Sequence, residues 1–158
     1  MSITSTINTN GINNTITTSI FLNGITLLDT LTYSNVTQQI LFAAHPASTL
    51  SISDFTVLLK LYAAFNNILI AALVSPIQTQ TTPFTIVHIV QSDDGVSSLN
   101  WFFKLGSTDL FDFTCTYPSG TTAVAARPAA ITLSYAQWLN FIYQQPYLQL
   151  VVRNAYKI

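Results

Sequence analysis

The chain has 158 residues and a mass of 17.4 kDa, enough for one domain to bury a core without disulfide or metal staples. Only 7% of the residues are charged, against roughly 25% in ordinary soluble domains, and the formal net charge is −1. The five cations, Lys60, Lys104, Arg127, Arg153 and Lys157, are scattered and none precedes Lys60, which argues against nucleic acid as a partner because that affinity comes from neutralised phosphates.

Thr, Ser, Asn and Gln take the place of the missing charges. They hydrate a surface but supply little like-charge repulsion between copies, so such a chain has weak protection against self-association. All six acidic residues are aspartates, Asp29, Asp54, Asp93, Asp94, Asp109 and Asp112. The absence of Glu, a strong helix former, agrees with a strand-rich chain.

In chain order, a short strand over 3–8 leads to a turn at Asn10–Gly11. The clearest local signal follows: TITTSIFL and the β-prone run after it flank Asn23–Gly24, a pair that tolerates the positive φ angles of a type I′ turn, which predicts a hairpin of residues 15–22 and 25–33. Val36 to Ala44 reads as a further strand, stopped by His45–Pro46.

Residues 53–74 allow two readings. As a helix, Ser53 or Asp54 caps a stripe of Phe55, Leu58, Leu59 and Tyr62. As a hairpin, LKLYAAF and ILIAALV are near mirror images about Asn66–Asn67, and this buried hairpin is the favoured expectation. The apolar stretch from Phe55 to Val74 is interrupted by Lys60 and two amides, which favours core over a membrane span.

Downstream, FTIVHIVQ, SSLNWFFKL and LFDFTCTY read as strands separated by turn residues. TLSYAQWLNFIYQQP reads as one short helix near residues 133–144, capped by Thr132 or Ser134 and ended by Pro146, after which YLQLVVRNAY returns to strand character. No internal repeat of fixed period is apparent. The expectation is a single domain over 1–158, all-β or β-dominated, built as an antiparallel sandwich with the jelly roll among its forms.

Candidate chemistry is sparse. A thiol site from Cys115, His88 and Asp112 needs three residues that no spacing brings together, and alternation places Cys115 with Phe111 and Phe113 as an inert core thiol. Asp93, Asp94, Asp109 and Asp112 could offer oxygens to calcium, but DDG is more commonly a plain turn. His88 reads as a structural histidine. A single cysteine gives no disulfide framework, and the N-terminus shows no secretory signal, so localisation is open, with a virion or the extracellular space favoured.

The expectation is therefore a non-enzymatic structural subunit without cofactor or metal. Its partners are copies of itself or other structural subunits, with no membrane span. A lectin-like carbohydrate-binding module is the alternative. Trp101, Trp138, Tyr135, Tyr143 and Tyr147 are the candidate interface or ligand contacts, because an apolar ring with a polar edge suits protein and sugar alike.

Overall fold

The computed structural model describes residues 3–12, 14–42, 47–72, 86–93, 98–105, 108–116, 121–124 and 131–156. The first strands are β1 (Ile3–Asn10), β2 (Thr15–Leu22), β3 (Thr26–Ser34), β4 (Gln39–Phe42) and β5 (Ser48–Ser51), which runs directly into helix α1 (Ile52–Ala72). Then come β6 (Ile86–Asp93), β7 (Ser98–Leu105), β8 (Thr108–Thr116), β9 (Thr121–Val124) and β10 (Ile131–Ser134), the last running directly into α2 (Tyr135–Tyr156). The strands form two antiparallel five-stranded sheets, ordered β1-β2-β3-β4-β10 and β5-β9-β8-β7-β6. Four strands of each sheet follow one another as a meander, unlike the interleaved order of a jelly roll.

The expected hairpin is present: β2 pairs with β3, and the loop between them holds Asn23 and Gly24 at φ of 58° and 70°. Strict alternation along β2 buries Ile16, Thr18, Ile20 and Leu22 on one side, the period of two that a half-buried strand requires. A β-bulge at Leu28 interrupts the alternation in β3 and turns two consecutive residues, Leu28 and Asp29, into the interior.

Three expectations need correction. Residues 52–72 are one helix, not a hairpin: Ser51 caps it by accepting the Asp54 backbone N–H at 3.1 Å, while its hydroxyl donates to the Asp54 carboxylate at 2.9 Å. The apolar stripe then continues unbroken through Phe65 and Leu69, and Asn66 is a buried member of it instead of a turn.

The second helix is longer than expected. It opens with a reciprocal capping box, Gln137 N–H to Ser134 Oγ at 3.1 Å and Ser134 N–H to Gln137 Oε1 at 2.9 Å. It then runs through Pro146 to Tyr156, so YLQLVVRNAY is helical. Pro146 leaves the Ile142 carbonyl without its usual intrahelical donor, a local cost the rest of the helix absorbs.

Third, the strand expected to begin at Val36 begins at Gln39. Residues 35–38 form a turn in which Gln38 (φ 55°) donates its N–H to the Ser34 carbonyl at 2.8 Å. The Gln38 carbonyl accepts the Tyr135 N–H at 3.1 Å, giving a partner to one of the free donors in the first turn of α2. Ala43 to Pro46 lie outside the described residues.

The architecture is an internal repeat. The elements β1–β5 and α1 correspond in order to β6–β10 and α2: β1 and β6 have 8 residues each, β2 and β7 have 8, β3 and β8 have 9, β4 and β9 have 4, and β5 and β10 have 4. The helices have 21 and 22 residues. Ile3 and Ile86, which open the two copies, stand 83 residues apart, as do the capping serines Ser51 and Ser134. The bulge repeats too: β8 carries one at Leu110, the position matching Leu28.

The sequence carries the repeat most plainly in AAHPASTLS (43–51) and AARPAAITLS (125–134), each followed by a serine-capped helix with a buried aromatic at its fourth position, Phe55 or Trp138. The two copies exchange their fifth strands. β5 joins β9 in the second sheet, and β10 joins β4 in the first. Neither sheet is complete without the other half of the chain.

Candidate interaction surface

The core fixes which side chains are left over for function. Against the inner face of the first sheet, Phe42, Tyr62, Phe65 and Phe141 surround Trp138, with ring centroids 5.7 to 6.4 Å from the indole and mostly tilted or edge-on. The Trp138 N–H donates to Asn66 Oδ1 at 3.1 Å, which joins α2 to α1. The Tyr62 hydroxyl donates to the buried Asp29 carboxylate, which joins α1 to the bulge of β3. Both are polar ties in dry surroundings, where a satisfied bond also specifies which face of the helix turns inward.

The expected contact residues separate under this arrangement. Trp138 and Tyr135 lie inside: Trp138 is 0% exposed, and Tyr135 packs edge-on to Tyr33 at 6.1 Å. Tyr143 is 71% exposed on α2 and is free to meet a partner. Trp101 lies on β7 and Tyr147 on α2, but their side chains fall outside the described residues. Burial pushes the Tyr33 phenol above its ordinary pKa; Tyr135 is raised by burial first and then by the neighbouring phenols Tyr143 and Tyr33.

His88 and Cys115 lie on β6 and β8, with β7 between them, and their register positions differ by four residues along the strands. Two strand spacings of about 4.8 Å and four rises of about 3.4 Å separate those backbones, so the register does not bring the pair together. No cluster of three His, Cys or Asp side chains suited to a metal occurs among the described residues. Asp94 falls outside them, as do the side chains of Asp93, Asp109 and Asp112.

What the sequence reading missed is the outward face of the first sheet. Thr15, Thr17 and Ser19 of β2 stand beside Ser34, Thr32 and Thr30 of β3, and the hydroxyls of Thr17 and Thr32 bond across the strands at 3.3 Å. Thr4, Thr6 and Asn8 extend the array over β1, and Gln39 and Leu41 extend it over β4. From residue 3 to 42 the one charged side chain is Asp29, and it is 0% exposed. β10, ITLS, adds none.

Apolar residues stand at the turns framing this face, with Ile12, Ile25 and Val36 exposed by 94%, 89% and 75%. Above the β1–β2 turn a cleft of about 250 Å³ is lined by Thr9, Asn10, Asn14, Thr15 and Asn35 among others. The alternation of β2 and the absence of cations before Lys60 were the legible signals for this face; which threonines would share it depended on the register.

Helix α1 is long and apolar enough, by length and composition, to cross a membrane, and its Phe55–Leu69 stripe is buried here in the core. Comparison with family models, with curated proteins and with solved structures finds no match to this chain.

Proposed function

We propose that this protein is a structural subunit that works by associating with copies of itself or with other structural subunits, in a virion or an extracellular assembly. The observation that carries this reading is the first sheet, whose whole exposed surface bears no charge while Ile12, Ile25 and Val36 project from its turns. Apolar groups held out in water, with no like charge to keep copies apart, favour association over solitude. In this reading the chain is one domain from 1 to 158, a sandwich of two sheets, because each sheet takes its fifth strand from the other half.

Light scattering on a size-exclusion column, followed by electron microscopy, tests the reading. Particles larger than one 17.4 kDa chain, growing with concentration, are expected. A solitary chain at high concentration would remove the proposal.

The cleft above the β1–β2 turn favours one second reading, a site for a neutral carbohydrate. Amides and hydroxyls lining about 250 Å³ are the groups that exchange hydrogen bonds with sugar hydroxyls, and no charge is there to select an ion. Binding on a glycan array that Asn14→Ala and Asn35→Ala abolish supports it, and a silent array removes it.

A further inference from the structure

The internal repeat supplies a control for reading the sheet edges. β1 and β6 are equivalent strands, each at one edge of its sheet, and each pairs on one side only, with β2 and β7. An edge strand holds out a row of backbone donors and acceptors, and proteins that stay apart usually guard it with charge, proline or a bulge. β6 has such guards: a bulge at Gln91 and an aspartate, Asp93, at its end. β1 has none. Its sequence is ITSTINTN, its register with β2 is unbroken over all eight residues, and from Thr6 onward every residue is exposed.

Resting on the proposed role as a self-associating subunit, we infer that the β1 edge is the contact, and that its occupant is β1 of a second copy of this chain, paired antiparallel about a two-fold axis at Ile7. The faces of the strand choose that register. Ile3, Ser5, Ile7 and Thr9 share the core side, because they lie opposite Leu22, Ile20, Thr18 and Ile16. Ile3 is buried, but Ile7 is left 43% exposed.

Centring the pair on Ile7 sets Ile7 against its own symmetry mate, Ser5 opposite Thr9, and Thr6 opposite Asn8. Core side then meets core side throughout, and the exposed isoleucine of each copy is covered by the other. No like charges meet, since neither strand has any. The two first sheets become one continuous sheet of ten strands, the self-complementary contact that a two-fold dimer requires.

The test uses the full chain in three lysine and two cysteine variants, each checked for an unchanged far-ultraviolet spectrum and melting cooperativity. Ile7→Lys sets two ammonium groups directly opposite and is expected to weaken dimerisation at least about tenfold; Asn8→Lys, at a position already exposed, should weaken it in the same direction and stands in if Ile7→Lys fails to fold. Gln91→Lys, at the equivalent point of β6, should leave association unchanged.

Under mild oxidation, Ile7→Cys should give a covalent dimer whose linked peptides both contain position 7, while Thr4→Cys, which faces Asn10 in this register, should not. If the wild type associates but Ile7→Lys and Asn8→Lys associate equally well, the edge assignment is overturned and the structural role survives. A β1-dependent dimer that Ile7→Cys cannot cross-link overturns the two-fold register, as does capture of a foreign extended peptide at β1 in preference to a second copy. A wild-type chain that never associates overturns both proposals.

Discussion

The two sheets have the same strand lengths, the same order and the same bulge in β3 and β8, and they differ in charge and in the further bulge of β6. Where the first sheet pairs Phe21 with Leu27, the second pairs Lys104 with Asp109 at the equivalent register, and where β1 ends in Asn10, β6 ends in Asp93. Backbone architecture is therefore indifferent to which surface it carries. The first sheet holds one carboxylate and turns it inward to Tyr62; at the matching position of the second stands Phe111. The difference teaches that charge is spread unevenly along this chain: the strands of the first sheet hold one carboxylate and bury it, the strands of the second hold Asp93, Lys104, Asp109 and Asp112, and the uncharged sheet is the one to suspect of contact.

The sharpest way to break the comparison is at the paired helix positions. Trp138→Ala should cost about 3 to 5 kcal/mol by cavity formation and strand Asn66 without its indole donor, whereas Phe55→Ala at the equivalent place removes a ring without an N–H and should cost less. Urea unfolding measures both, and equal losses would show that the Trp138–Asn66 bond adds nothing.

Next come the exchanged strands. Leu50→Ala in β5 and Leu133→Ala in β10, both at fully buried positions, should each cost about 2 to 5 kcal/mol. Hydrogen exchange should rise in β6–β9 for the first and in β1–β4 for the second. The reverse pattern, each half loosening its own sheet, would contradict the exchange.

Smaller effects sharpen the equivalence. Ser51→Ala and Ser134→Ala should each cost about 1 kcal/mol in thermal unfolding, and a large difference between them would mark one cap as secondary. Tyr33→Phe and Tyr135→Phe should be neutral or slightly stabilising at pH 7, because each removes a buried hydroxyl that has no hydrogen-bond partner.

Their advantage grows with alkali. Both phenols have folded pKa values raised above 10.0, so the folded state keeps protons that the unfolded state releases. Stability is intact below that value and falls as pH climbs through the raised folded values. The two Phe variants should lose less stability than wild type in unfolding titrations above that point.

Local chemistry was legible in the sequence where the deciding residues are neighbours. Asn23–Gly24 announced its hairpin, and Ser134 announced the start of α2. The reading failed where the decision belongs to a distant partner: nothing near Asn66 says that it accepts a bond from an indole 72 residues away, and without that partner an Asn–Asn pair reads as a turn. YLQLVVRNAY looked like a strand because Pro146 normally ends a helix and Leu, Val and Tyr suit sheets.

The repeat escaped because its period slips. The loop after β7 is one residue shorter than Asn23–Ile25, and the link before β10 is one longer than the link before β5, so no single offset aligns the whole chain. The uncharged face was half legible: composition showed that charge was missing, while only register showed where.

The exchange of fifth strands also sets an order of events during synthesis. As β1 to β4 leave the ribosome, the β4 side of the first sheet stays open, because β10 lies far downstream of β4 in the chain, beyond α1 and β6–β9. The intervening strands must emerge and pair before Ile131 meets Phe42. Such closure across a long sequence separation is slow, and it leaves an uncharged sheet with two unpaired edges in the meantime. Until β10 docks, the β4 edge has no strand beside it, so the order of synthesis leaves the uncharged sheet open for longer than the charged strands that follow it.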